Sequence, residues 1–336
     1  MTTTIHDVAR HANVSAATVS RVLNSRTDVA SHLTERVLAS VATLRYRPNG
    51  AARSLRTRAT TVLGVIISDI TNPFFTSMVR GVEDAAQTAG YSVVLANTDE
   101  DLDKERRYLE VAVAEQLAGV VLSPASSHHT RLDVLTDRGI PVVTVDRRLR
   151  DRSIDSVTVN NYRAAFDATG HLLEQGCRRV GVIAGPAATT TGSRRLAGYR
   201  AALRAFDVAD DPAHVVHGDF RIDGGRSATL ELLARGEVDG LLVSNNLMTI
   251  GALEALAQTG HQIPDDLAVV GFDDMAWAGA MRPPLTVVTQ PTYEIGRRTA
   301  DLLLRRIRGE ELPPQRIVLP ATLAVRQSSL RAAPMR

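Results

Sequence analysis

Residues 14–24 read VSAATVSRVLN, and this string decides how the first sixty residues fold. Ser15 can cap a helix, because a serine hydroxyl accepts one of the orphan backbone N–H groups of a first turn. Val19, Val22 and Leu23 then face inward at helical spacing. Ala17, Thr18, Ser20 and Arg21 are left to present a surface. Upstream, Thr4-Ile5-His6-Asp7 has the T-x-x-D spacing of a capping box. Ile5, Val8, Ala9 and Ala12 follow on one helical face, and Asn13-Val14 makes a short turn. A third helix is expected from Ser31, burying Leu33, Val37, Leu38, Val41 and Leu44, with Pro48 as its stop. Two helices joined by a tight turn, with a third in support, read as a helix-turn-helix.

The charge distribution says what such a unit is for. Residues 1–60 hold nine arginines against Asp7, Asp28 and Glu35, a net of +6, so the rest of the +2 chain carries −4. A basic head on a mildly acidic body is the footprint of a polyanion-binding module. Helix 16–24 has the chemistry to enter a DNA major groove. Arg21 can donate to guanine O6 and N7 in bidentate fashion, while the methyls of Ala16 and Ala17 can only touch thymine methyls. Ser15 and Ser20 can offer hydroxyls to phosphates.

From residue 61 the texture changes to apolar strands alternating with amphipathic helices. Strands are expected at 62–68, 92–97, 119–123, 142–146, 180–184, 215–218, 240–244, 268–272 and 287–289, and helices at segments such as 72–89 and 103–116. Near-continuous Val/Ile/Leu strands separated by helices imply parallel sheets covered on both faces. So many strands exceed one comfortable sheet, so two α/β lobes are expected. The chain should pass between them near Val159-Asn160-Asn161 and return near Gln290-Pro291.

The whole 1–58 stretch resembles the headpiece of the lactose/galactose/purine repressor (LacI/GalR) family. The likeness rests on Ile5, Asp7, Val8 and Ala9, the V-S-x-x-T-V-S-R-V-L-N run and Arg47-Pro48-Asn49. It continues through Ala52-Arg53-Ser54-Leu55, Asn72-Pro73-Phe74-Phe75, Val145-Asp146-Arg147, Arg195-Leu196-x-Gly198-Tyr199, Val270-Gly271-Phe272-Asp273-Asp274 and Pro284-Leu285-Thr286 with Gln290-Pro291. The resemblance implies a small all-α headpiece joined to a two-lobed α/β core of the periplasmic-binding-protein kind, with doubly wound parallel sheets. Its divisions would be a DNA-binding domain at 1–47, a hinge helix and linker at 48–60, and an effector-binding and dimerisation core at 61–336. The N-lobe would comprise about 61–160 plus 291–320, and the C-lobe about 161–290 plus the C-terminal residues.

For DNA contact the resemblance implies Thr4, Ser15, Ala16, Ala17, Thr18, Ser20, Arg21 and Asn24, then Asn49, Ala52, Arg53, Leu55 and Arg56 of the hinge. Residues 49–57 are too few for a stable helix in water, and Gly50 weakens it by about 1 kcal/mol relative to alanine. In the family the hinge orders on operator DNA, where the residue matching Leu55 wedges between base steps. A homodimer would then read a double-stranded, pseudo-palindromic operator. For the cleft, the expected effector contacts are Phe74, Phe75, Asp146, Arg147, Arg195, Phe220, Asn245, Asp273 and Gln290, mostly at strand ends. Carboxylates, amides and aromatics together suit a sugar or a nucleoside. The chain departs from the family at Asn246, where an aspartate is common.

Other classes fit less well. A sugar-binding receptor without a DNA role would share the core, but the basic headpiece and the absence of a signal-peptide pattern in MTTTIHDVARHANVS argue against it. No run approaches the roughly 18 apolar residues of a membrane span, and a cytoplasmic protein is expected. Cys177 is the lone cysteine, so no disulfide framework or cysteine zinc cluster is available. Adjacent His128 and His129 point different ways, so no metal and no cofactor are expected. The sequence has no G-x-G-x-x-G after the first strand, no G-x-x-x-x-G-K-[ST], no G-x-S-x-G and no H-E-x-x-H, which argues against an enzyme.

Overall fold

The computed structural model describes residues 3–23, 29–46 and 60–331. Asn24, Asn49, Ala52, Arg53, Leu55 and Arg56 lie outside the described residues. The chain divides into two compact units, Met1–Thr60 and Thr61–Arg336.

The first unit holds α1 (Ile5–His11), α2 (Ala16–Leu23) and α3 (Ser31–Thr43). The capping box forms: the Thr4 hydroxyl accepts from Asp7 N–H, and the Asp7 carboxylate accepts from Thr4 N–H at 2.9 Å. Asn13 takes the left-handed backbone of the turn (φ 47°), a conformation asparagine tolerates better than most residues. Ser15 Oγ accepts from Thr18 N–H at 3.1 Å and so starts α2. Val8, Ala9, Ala12, Val19, Val22 and Val37 form the core. Leu38, expected inside, is 51% exposed. The helix turns Ser40 inward instead, where its hydroxyl donates to Arg36 O at 2.8 Å and meets His11 Nδ1. Apolar spacing alone could not choose between these neighbouring faces.

The second unit has two six-stranded sheets with matching topology. The N-lobe sheet has the order β11-β5-β4-β3-β1-β2, from β1 (Val62–Ile67), β2 (Ser92–Asn97), β3 (Gly119–Leu122), β4 (Val142–Val145), β5 (Asp155–Val159) and β11 (Arg316–Leu319), all parallel. The C-lobe sheet has the order β12-β10-β9-β8-β6-β7, from β6 (Val180–Ala184), β7 (Val215–His217), β8 (Gly240–Val243), β9 (Ala268–Phe272), β10 (Thr286–Thr289) and β12 (Thr322–Ala324). Only β12 runs antiparallel to its neighbour, β10. Three strands went unread in the sequence. β5 opens on Asp155-Ser156 and β12 is only three residues long, while β11 has an apolar Ile317-Val318-Leu319 run but sits at a half-exposed sheet edge.

Both faces of each sheet are covered. Along β1, Leu63, Val65 and Ile67 join one core while Ile66 joins the core on the opposite face, the period-two alternation of a strand buried on both sides. The N-lobe helices are α4 (Pro73–Thr88), α5 (Leu102–Ala114), α6 (Asp133–Thr136) and α11 (Thr292–Ile307); the C-lobe helices are α7 (Asn161–Glu174), α8 (Thr190–Ala205), α9 (Ile222–Arg235) and α10 (Asn246–Thr259). Helix α11 returns from the C-lobe sheet to pack on α4. A Cβ at Gly81 would lie 2.1 Å from Tyr293 O, and one at Gly296 would lie 1.9 Å from Met78 O, so only glycine at these two positions lets the backbones meet. The chain therefore crosses between lobes after β5, after β10 and between β11 and β12. Among the described residues no helix is long and apolar enough to cross a membrane.

Candidate functional site

The C-terminal ends of both sheets face one cleft, with roughly 470 Å³ of atom-free space. All nine cleft residues singled out in the sequence line it: Phe74, Phe75, Asp146, Arg147, Arg195, Phe220, Asn245, Asp273 and Gln290. They arrive from separate strand ends. Asp146 and Arg147 follow β4, Phe220 follows β7, Asn245 follows β8, Asp273 follows β9 and Gln290 follows β10. Phe74 and Phe75 begin α4, with rings edge to face at 5.1 Å. Asp69, Asn72, Glu100, Thr191, Asp219 and Arg221 also line the cleft and were missed. Asn72 belongs to the Asn72-Pro73-Phe74-Phe75 motif, and Asp219 and Arg221 flank Phe220, which were usable signals; Glu100 belongs to no motif.

The backbone is bent to aim these groups. Glu100, Asp146, Phe220 and Asp273 all have left-handed φ, between 64° and 69°, at about 1–2 kcal/mol for each L-residue. Such strain collects where surrounding structure holds a functional side chain in place. Phe220 is seated on Gly185, where a Cβ would come within 2.2 Å of the ring.

The electrostatics are those of a buried polar site in which five carboxylates meet three arginines. Arg147 forms a bidentate pair with Glu100 at 2.5 and 2.6 Å, donates to Pro124 O at 3.1 Å, and stands 5.7 Å from the Phe220 ring centroid. Arg195 donates to Asn161 Oδ1 at 2.7 Å and to Ser244 O at 2.5 Å, and lies 3.8 Å over the Phe272 ring. Burial holds Arg195 below the usual guanidinium range, partly offset by Asp273 and Asp146. Burial pushes the Asp146 carboxyl up to about 6, against the pull of Arg147 and Arg195. Burial also raises Asp273, whose carboxylate accepts from Gln290 Nε2. Asp146 meets Arg147 Nε only at 3.5 Å, and the buried Arg147 Nε and Gln290 Oε1 have no hydrogen-bond partner. Unpaired buried donors and acceptors are costly, so a ligand carrying several hydroxyls would satisfy what the protein leaves open. Asn245 is committed elsewhere: Oδ1 caps α10 through Met248 N–H at 2.8 Å, and Nδ2 donates to Phe220 O at 3.0 Å.

The lobes are drawn together over this site. Asn246 Nδ2 donates to Asn72 Oδ1 at 2.8 Å, Thr190 N–H to Ser127 Oγ at 3.2 Å, Arg148 N–H to Thr190 Oγ1 at 3.1 Å, and Arg221 to Asp99 O at 3.2 Å. Asn246 thus makes a bond between lobes that an aspartate, lacking a donor when ionised, could not make. The His128 and His129 rings meet edge to face, 61° apart, with centroids 6.4 Å from each other. No group of three or more metal-ligating side chains occurs among the described residues.

In the first unit, Ser15, just before α2, is exposed, as are Ala17 and Arg21, four residues apart on one face of α2. Ala16 is half-buried and packs against the headpiece core. Thr18 pairs with Ser15 through their hydroxyls at 2.9 Å, and Thr4 is the N-cap of α1. Ser20 is half-buried.

A three-helix unit with an exposed arginine on its second helix, joined to a two-lobed core closed over a polar cleft, defines a DNA-binding regulator with a ligand-binding body. Residues 4–49 match the model of bacterial regulatory proteins of the lacI family, and residues 169–329 match a periplasmic binding protein-like domain. The ribose operon repressor of Halalkalibacterium halodurans is 39% identical over 97% of both chains. Among solved structures, a complex of the transcriptional regulator CelR with cellobiose is 34% identical, with a TM-score of 0.76 over 97% of this chain and 99% of that one. The lac repressor dimer bound to operator and the anti-inducer ONPF is 26% identical, with a TM-score of 0.87 over 98% of this chain and 100% of that one. The chain belongs to the LacI family of bacterial regulatory proteins, and it is a DNA-binding transcriptional regulator rather than an enzyme.

Proposed function

We propose that the protein is a cytoplasmic repressor, working as a homodimer on a pseudo-palindromic operator, whose DNA affinity is set by a sugar bound in the cleft. The observation that carries the effector reading is the convergence of Asp146, Arg147, Arg195, Asp273 and Gln290 on one buried site with open hydrogen-bonding positions. Donors and acceptors that share the cleft with Phe74, Phe75 and Phe220 suit a small polyhydroxylated ring. The ribose operon repressor among its relatives supports a pentose, with D-ribose as the first candidate. A nucleoside is the alternative, and the test below separates them.

In this reading residues 1–47 bind DNA, 48–60 form the hinge, and 61–336 bind effector and dimerise. The N-lobe is about 61–160 plus 291–320, and the C-lobe is the remainder. Ser15, Ser20 and Thr4 meet phosphates, Ala17, Thr18 and Arg21 face bases with the half-buried Ala16 at the edge of the contact, and Asn24, Asn49, Ala52, Arg53, Leu55 and Arg56 extend it. Closure of the cleft changes lobe geometry and so biases the hinge between two states.

A thermal-shift series with D-ribose, other pentoses, hexoses and nucleosides tests the effector, because a ligand of the folded state raises the melting temperature by mass action. A sugar is expected to shift wild type and to leave Asp273→Ala unshifted. A shift retained in that variant removes Asp273 from the site, and shifts by nucleosides alone replace the sugar reading.

A further inference from the structure

A second cavity adjoins the cleft beside the first crossover and shares Asp146 with it. Its walls come from both lobes. Arg148 follows β4 in the N-lobe, Thr190 and Arg194 lie in the first turns of α8 in the C-lobe, and Asn160 and Tyr162 flank the crossing strand. Arg148 N–H is tied to Thr190 Oγ1 at 3.1 Å, which keeps the arginine at the seam between lobes. Neither the half-buried Arg148 nor the exposed Arg194 makes a side-chain hydrogen bond or ion pair with any described residue, although most buried or seam arginines elsewhere in the core do. Burial holds the Arg148 guanidinium below its usual range, and the like charges of Arg194 and Arg316 add to the effect. Arg316 also has the field of Asp151 nearby. Asp146 is the lone carboxylate in the cavity lining, and it lies against Arg147.

Arg148 and Arg194 thus face one cavity from opposite lobes, and its one carboxylate, Asp146, is already against Arg147; their mutual repulsion costs free energy unless a further anion comes between them. We propose that this cavity is a site for a small oxyanion of the phosphate type, held between Arg148 and Arg194, that bridges the lobes and favours the closed cleft. Planar guanidinium groups match phosphate oxygens in bidentate fashion, and the hydroxyls of Thr190 and Tyr162 supply further donors. The α7 and α8 N-termini, capped by Asn160 and Thr189, add their positive ends to the same wall. The site borders that of the effector, with Asp146 common to both linings, and does not depend on what the effector is.

The test is thermal unfolding of the full chain in inorganic phosphate against sodium chloride at matched ionic strength, with no sugar present. At tenfold excess over the dissociation constant, phosphate should raise the midpoint by about 3 °C. The rise should be lost in Arg148→Gln and Arg194→Gln and kept in Arg204→Gln, an exposed arginine at the far end of α8 that controls for the loss of one positive charge. Isothermal titration with phosphate should show the same loss of a site. No specific rise in wild type, or an equal rise in both core variants, overturns the proposal.

Discussion

Replacing Asp146 with asparagine should make the ligand-free protein more stable at neutral pH while destroying its response to effector. Burial raises this carboxyl from 3.8 to about 6, a gap of about 3 kcal/mol at 1.36 kcal/mol per pH decade. Because the folded pKa lies above the unfolded one, protonated Asp146 contributes stability below pH 3.8. That stability is lost as pH rises through 6. Asparagine copies the protonated shape and never ionises. Its advantage over aspartate should be about 1.6 kcal/mol at pH 5 and about 3 kcal/mol at pH 8, from the same linkage relation. For a unit of this size that is a melting temperature higher by about 3 °C at pH 5 and about 6 °C at pH 8. The assay is differential scanning calorimetry of both proteins between pH 5 and 8, followed by a sugar titration at pH 7.5. A variant that is less stable, or a difference that stays flat with pH, would refute the reasoning that Asp146 is held ionised at a cost for the sake of a ligand.

Three further outcomes follow from the geometry. Arg21→Ala should lower discrimination between operator and random DNA by about 1–3 kcal/mol with a smaller loss of non-specific affinity, measured by fluorescence anisotropy; unchanged discrimination would remove Arg21 from base reading. In the same assay, log affinity should fall with log salt at a slope of about −4 or steeper, and a flat response would count against phosphate-driven binding. Asn246→Asp should weaken sugar binding about 5- to 150-fold, because it sets a carboxylate against Asn72 Oδ1, an acceptor already engaged by Phe74 N–H at 2.9 Å, at about 1–3 kcal/mol. Unaltered affinity by calorimetry would mean that this contact between lobes does not act in ligand closure.

Elements with local causes were legible in the sequence. The headpiece helices start at caps whose donors and acceptors lie within three residues of each other, Thr4 with Asp7 and Ser15 with Thr18. Buried parallel strands announce themselves as apolar runs, and in doubly wound sheets ligand groups gather at strand ends, so Asp146, Phe220 and Asp273 could be placed in the cleft without coordinates. Their left-handed backbone could not be read that way, because it is imposed by the turn each residue must make after its strand.

Tertiary structure alone decided the rest, since it depends on residues far apart in the chain. Glu100 matters only because folding brings Arg147 to it across 47 positions, and Asn246 reaches Asn72 across 174. Leu38 faces water and Ser40 faces the core because three helices meet at one particular rotation. The unpaired Arg148 and Arg194 line one cavity only because the fold brings the two lobes together there. Sequence by itself determined the class of the protein, its helical headpiece and the strand ends that face its ligand, since these follow from caps, periodicity and motif. The charge balance of the cleft and the contacts that hold it shut came from the fold, because electrostatic and hydrogen-bond energies depend on distance in space rather than along the chain.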